Sequence, residues 1–163
     1  MRRVIAPLVL LAVLMTGSAC DGGSAVDDLE SGLDGNSTET VPPCPFDAQK
    51  ISALVGQPLV KRDDGSNCSF GDDRGVANVT INPATKTAGA VTYDYQRKRA
   101  NDVYDLVKDV NLGEKAYIAA KPPNAEAQVV SDKGSYLVMM SSFEFDLAGY
   151  EQALRKILDA IFA

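Results

Sequence analysis

Cys20, Cys44 and Cys68 carry the most reactive side chains in a chain of 163 residues that has no histidine and no tryptophan. Thiols either pair as disulfides or remain nucleophiles. In an exported protein, three of them leave one over after a single bridge. The lack of histidine removes the commonest general base and metal ligand. Hydrolytic chemistry would then need a carboxylate pair or a Ser-Lys dyad. Glu144 and Asp146 stand two apart on one side of a strand alternation, but Asp146 is better explained as a helix cap. The domain has no Ser-x-x-Lys and no glycine-rich phosphate loop. Asp63, Asp64, Asn67, Asp72 and Asp73 fall in two neighbouring turns and could offer oxygen ligands to calcium. The spacing of an EF-hand loop is absent, so ordinary turn chemistry is the expectation. The chain reads as non-catalytic, with neither metal nor cofactor.

Two groups of residues could bind rather than react. Arg97-Lys98-Arg99, beside Tyr93 and Tyr95, could meet anionic headgroups. Asp94 and Asp102 lie close enough in sequence to neutralise the run, which reads as a solvated helix face. Tyr136, Met139, Met140, Phe143 and Phe145 could line a cavity for a lipid or small hydrophobic ligand, because soft apolar side chains adapt to varied guests. Core packing is the competing account of the same five residues and of Tyr117.

The position of the first cysteine sets the context for all of this. Arg2 and Arg3 precede an uncharged apolar run, Val4 to Met15, and the small residues Gly17-Ser18-Ala19 lead to Cys20. Residues 1–19 read as a secretory signal peptide. Twelve apolar residues fall short of the ~20 that a membrane-spanning helix needs, and no later segment comes closer. Small residues directly before a cysteine, followed by a polar linker, resemble the lipobox of bacterial lipoproteins. That resemblance implies a diacylated Cys20 as the new N-terminus, holding the chain on the outer face of the cytoplasmic membrane. Two or three acyl chains suffice for stable anchoring. Lipidation would also account for the odd cysteine. Position −3 departs from the pattern, being Gly17 where leucine is usual. Gly17-x-Ala19 also suits the ordinary signal peptidase, which would release a soluble secreted protein.

Removal of the first 19 residues leaves 144, enough for one domain and a tail. Residues 20–43 form the tail. After Cys20 it is mostly Gly, Ser, Thr and acid, with six acids and no base. Such a composition buries too little surface to offset the entropy of ordering, so a disordered tether is expected, with a root-mean-square span of ~25 Å. From Cys44 onward, 16 acids face 14 bases. A domain so close to neutral is a poor match for nucleic acid, whose phosphates demand clustered positive charge.

Within residues 44–163, Asp47 can cap a short helix carrying Ile51, Leu54 and Val55, closed by Gly56 before Pro58. Leu59 to Asp63 and Asn67 to Phe70 flank Asp64-Gly65-Ser66 as a hairpin, and Val76 to Ile81 follows as a third strand. Cys68 sits on the second arm. Export makes an oxidised pair the default, and a bridge from Cys44 to Cys68 is expected. Asn82 to Ala90 reads as a loop and Val91 to Val110 as a helix with Ala100, Val103, Leu106 or Val107, and Val110 on one stripe. Lys115 to Ala119, Glu126 to Ser131 and Ser135 to Ser142 read as strands, the last apolar enough to be central. Asp146 then caps a C-terminal helix bearing Leu147, Tyr150, Leu154, Ile157, Leu158 and Ile161. The sum is an α+β domain: an antiparallel sheet of about six strands packed by three helices on one apolar face, with a hint of a half-repeat.

Cys44-Pro45-Phe46 opening a short helix that ends Leu54-Val55-Gly56, then Cys68-Ser69-Phe70, then Leu112-Gly113-Glu114-Lys115-Ala116-Tyr117 and an amphipathic last helix, is similar to a family of small actinobacterial lipoproteins. Their domain has no assigned function. The family's loop usually reads Gly-x-Gly-Asp/Glu-x-Ala, and Asn111 stands where its first glycine would be. The resemblance supports the disulfide and the fold and implies no chemistry. The expected function is a non-catalytic, membrane-anchored binding module with an envelope or membrane protein as partner. A carrier holding a hydrophobic ligand in an apolar cup is the alternative.

Overall fold

Two long strands, Lys115–Lys121 and Asn124–Ser131, bury both of their faces, and that single property dictates the architecture. In the computed structural model, which describes residues 39–62 and 68–163, the elements run α1 (Ala48–Val55), β1 (Val60–Lys61), β2 (Ser69–Gly71), β3 (Asn78–Ala84), α2 (Lys86–Val103), β4 (Leu106–Asp109), β5 (Lys115–Lys121), β6 (Asn124–Ser131), β7 (Gly134–Ser141) and α3 (Leu147–Phe162). The fold is α+β, with one antiparallel sheet ordered β1-β2-β3-β7-β6-β5-β4. β7 is central, as its apolar run suggested. Residues 1–38, including the expected signal segment, Cys20 and most of the expected tether, and residues 63–67 lie outside the described residues.

Successive side chains of a strand point to opposite faces. On β5, Ala116, Ile118 and Ala120 join one core while Tyr117 and Ala119 join another. β6 divides in the same way, with Ala125, Ala127 and Val129 on the first side and Val130 on the second. The first core lies beneath α1 and α3, where Ile51, Tyr150, Leu154, Ile157 and Leu158 are fully buried. Each such aliphatic side chain contributes about 1.5–3 kcal/mol on burial. That outweighs the exposed Arg155–Glu151 pair on the outer surface of α3, for which ~0.3–0.5 kcal/mol is typical. The second core lies beneath α2. Helices therefore cover both faces, not one, and the sheet is the middle of three layers. The expected half-repeat does not extend to helix placement, since α1 and α2 sit on opposite sides.

The caps fall where local chemistry puts them. Asp47 accepts a hydrogen bond from Lys50 N at 2.8 Å, and Asp146 accepts one from Gly149 N at 2.8 Å. Gly56 ends α1 in the left-handed region at φ 71°. Gly113 is left-handed too, at φ 58°, and a Cβ there would lie 2.4 Å from the carbonyl oxygen of Val130, so two independent constraints demand glycine in that loop. Tyr150 is fully buried, and its hydroxyl lies 2.7 Å from the carbonyl of Pro123 and accepts from Phe143 N at 3.0 Å, tying the β5–β6 turn to the start of α3.

Two expectations need correction. The loop placed at 82–90 is the end of β3 followed by the first turn of α2. Asn82, Pro83 and Ala84 pair with Leu137, Tyr136 and Ser135, and Thr85 caps the helix by accepting from Ala88 N at 3.2 Å. The helix placed at 91–110 ends at Val103, and Leu106–Asp109 is a seventh strand at the sheet edge, paired with β5 from Leu106↔Ala120 to Asp109↔Tyr117. The helix buries Gly89, Tyr93 and Ala100 rather than a broad apolar stripe, and Val103 is exposed.

The bridge is formed: Cys44 and Cys68 are joined, with Cα atoms 5.4 Å apart. Contacts of the folded part start ahead of Cys44. Glu39 accepts from both the backbone N–H and the hydroxyl of Thr87, each at 3.0 Å, at the N-terminus of α2 where a carboxylate is favoured. Pro42 lies against Gly134.

Candidate functional site

α2 can lie close to the sheet because its contact residues are small. A Cβ on Gly89 would come within 2.1 Å of the Ser135 Cβ, and Ala100 is fully buried. Close approach brings the far end of the helix over β6, where Glu126 points into the second core. This carboxylate is 2 % exposed. Tyr117 donates its hydroxyl to Glu126 Oε1 at 2.7 Å, and Tyr104 donates to Oε2 at 2.9 Å. Arg99 Nη2 donates to the same Oε2 at 2.5 Å, and Arg99 Nε donates to Gln96. A buried charge is tolerated only when it is paired and hydrogen-bonded, and all three donors serve that end.

The electrostatics follow from burial and from the carboxylate. Burial first, then the Glu126 acceptor, pushes the Tyr117 hydroxyl far above its ordinary value. Burial, and next the Glu126 charge, raises Tyr104 to about 12. Both phenols are therefore protonated donors at neutral pH. Burial weakens the Arg99 cation, but the Glu126 charge and the hydrogen bond to it together outweigh that, and the net shift is upward. With its oxygens committed to three donors, Glu126 offers no free base. Chemically the cluster is a clasp that fixes the end of α2 to the middle of the sheet.

On the other flank of α2, an open cleft of about 600 Å³ separates the helix from the β4–β5 connection. Arg97 Nε donates to Asp109 at 2.7 Å and the guanidinium stands 5.8 Å from the Tyr117 ring centre. Lys115 pairs with Asp94 at 3.1 Å, above the ring of Tyr93. Burial, followed by the Asp109 charge, pushes Tyr93 to about 12. The basic run thus does not converge. Arg97 and Arg99 leave the helix on opposite flanks, each to its own carboxylate.

The five residues weighed as a ligand cup divide in the same manner. Tyr136, Met140 and Phe143 are buried on the α1/α3 side, where Phe143 stacks on the half-buried Phe145 with ring centres 5.3 Å apart. Met139, one residue before Met140, lies on the opposite face and is 40 % exposed on the α2 side. Of the acidic turns, Asp63, Asp64 and Asn67 fall outside the described residues. Asp72 Oδ1 accepts from Val76 N at 2.7 Å and Ala77 N at 3.2 Å, which is turn chemistry. Glu144 is exposed, while Asp146 is occupied as a cap. Glu126 and its partners were missed. The available signal was a lone acid flanked by alanines in a buried strand, Ala125-Glu126-Ala127, which requires a cation and hydrogen-bond donors from elsewhere. No family model, curated protein or solved structure matches the chain.

The tyrosines predict an alkaline transition. Each is held above its ordinary value in the fold, so the stability it confers is intact below about pH 10 and is lost as pH rises toward the folded value. For Tyr93, a displacement to about 12 corresponds to on the order of 3 kcal/mol. The urea midpoint is expected to hold steady to about pH 9.5 and to fall steeply between about pH 10 and 12, with a shallower fall in Tyr104→Phe. A midpoint unchanged at pH 11.5 would contradict the buried placement.

Proposed function

We propose that this protein is a lipid-anchored, extracytoplasmic binding module of the small actinobacterial lipoprotein type, lacking catalysis of its own. The observation that carries the proposal is the pairing of Cys44 with Cys68. It uses both domain cysteines and leaves Cys20, at the end of the lipobox-like stretch, as the one sulfur for acylation. The anchor holds the domain at the outer face of the cytoplasmic membrane, where it meets an envelope or membrane protein. Among the described residues no helix is long and apolar enough to cross a membrane, so membrane attachment in this scheme falls to the N-terminal lipid.

The test is direct. The wild-type chain expressed with its own leader is expected in the membrane fraction, starting at Cys20 and carrying the added mass of a diacylglycerol. Cys20→Ser is expected to lose that mass and to leave the membrane fraction by at least tenfold. A wild-type species that starts at Cys20 with no lipid mass defeats the anchor and favours the secreted alternative.

A further inference from the structure

The chain enters the folded part at one end of α2. Glu39 accepts from the backbone N–H and the hydroxyl of Thr87, and Pro42 lies against Gly134 at the β6–β7 turn. Residues 39–44 form a strap that rounds the end of the sheet, from the start of α2 to Cys44, which packs on the α1/α3 side. Eighteen residues, 21–38, separate Cys20 from the strap. Whatever their path, a chain anchored at Cys20 joins the domain beside Thr87.

The outer surface of α2 changes character along its length. At 3.6 residues per turn, Val91, Tyr95, Lys98 and Asp102 lie opposite Gly89, Tyr93 and Ala100, which face the sheet. Val91 and Tyr95, 77 % and 70 % exposed, are the two most exposed large apolar side chains among the described residues, and they stand one turn apart. Thr87, Ala88 and Thr92 beside them are exposed and uncharged. Charged groups on this part of the helix are drawn to its flanks, Lys86 to Glu114 and Asp132, and Asp94 to Lys115. Arg97 and Arg99 are held in the same way by Asp109 and Glu126. Charge reaches the outer line only at Lys98 and Asp102, away from the strap. The bare, apolar end of the helix is the end at which the anchor arrives.

We propose that this stripe, Val91 and Tyr95 with Thr87 and Ala88, is the surface on which the domain rests against the outer leaflet of the membrane, lipid headgroups being what it meets. The inference rests on the lipid-anchored reading, which brings the bilayer to the strap. Two apolar side chains bury too little area to hold a free domain on a bilayer. A tether makes the encounter intramolecular, so a weak contact suffices. The strap also selects the face, because it delivers the anchor to the start of α2 and not to Val76, which is exposed and apolar but lies at the other end of β3. Tyrosine suits the headgroup level, where its ring meets acyl chains and its hydroxyl meets water. Asp102 at the far end of the stripe is kept in water if α2 tilts with its N-terminal end toward the membrane.

The test uses the full mature chain reconstituted into phosphatidylcholine vesicles containing phosphatidylglycerol. With Cys20 acylated and Cys44 bridged to Cys68, an introduced cysteine is the one free thiol to label. A fluorophore on Val91→Cys or Tyr95→Cys is expected to be quenched by nitroxide-bearing lipids about threefold more than one on Val76→Cys or Lys156→Cys, since interfacial side chains sit within the headgroup layer. Val91→Asp, at an exposed position, is expected to bring the Tyr95→Cys signal down to the Lys156→Cys level with the melting temperature little changed. Glu39→Ala, which frees the strap from Thr87, is expected to lower it as well. Chains that float with the vesicles while all four labels are quenched alike overturn the surface and leave the anchor standing. Chains that do not float overturn the anchor, and the surface with it. A photoreactive group at position 95 that captures protein and no lipid in the native membrane overturns the lipid contact in favour of a protein partner.

Discussion

Replacing Glu126 by alanine is expected to lower the stability of the domain by about 3 kcal/mol, at the low end of the range for breaking a buried ion pair because Arg99 is 39 % exposed on its side chain. The loss has two parts. Tyr117 keeps a buried hydroxyl with no acceptor, costing roughly 1–3 kcal/mol where water cannot reach, and the partly buried Tyr104 hydroxyl costs less. Arg99 loses its counter-ion but can turn to solvent, which limits its share. Glu126→Gln keeps the shape and one acceptor oxygen and should cost less than half as much. The check is a urea titration of the two variants, with the slope unchanged if the native fold is retained. Equal losses for alanine and glutamine would mean that charge alone matters. A loss below 1 kcal/mol for alanine would mean that the clasp does not hold α2.

Opening the Cys44–Cys68 bridge is expected to cost about 3 kcal/mol, the chain-entropy value for a closed loop of this size. The bridged residues are 24 apart in sequence and enclose α1, β1 and the hairpin tip. An eight-residue helix is not stable alone in water, so α1 depends on the bridge and on the burial of Ile51 and Val55 against α3. Reductant, or the double variant Cys44→Ala/Cys68→Ala, should lower the melting temperature by on the order of 10–15 °C. The alanine pair separates the bridge from any effect of reductant on Cys20. An unchanged melting curve would show that the first 30 residues of the domain are held by packing alone.

These two interactions differ in how far the sequence announced them. The bridge was legible because three cysteines with an exported context leave few pairings. The three helix caps at Asp47, Thr85 and Asp146 differ in the same way: two stand directly before amphipathic runs, whereas Thr85 precedes a helix that buries only Gly89, Tyr93 and Ala100. A helix that meets a sheet through small residues carries no broad apolar stripe, so its start was read as loop. Its end was overrun because Leu106-Val107 continues the spacing of Ala100 and Val103, although the chain there has turned into strand β4. The second covered face was hidden for a related reason. β5 and β6 present alanines on one side and a tyrosine, a glutamate and a glutamine on the other, and polar side chains in alternation usually mean water. Here they mean a buried network whose partners arrive from a helix about 25 residues earlier, at Arg99 and Tyr104.

The bridge also decides how the molecule responds to traction. A pull exerted from the N-terminal side, once it has parted Glu39 from Thr87, arrives at Cys44 and crosses the sulfur–sulfur link to Cys68. It enters the sheet through β2, next to β3. Residues 45–67 are bypassed by that route and carry no load in series. The short first helix can then remain seated under such a pull, and the strands, pulled through a covalent rivet, are what resist.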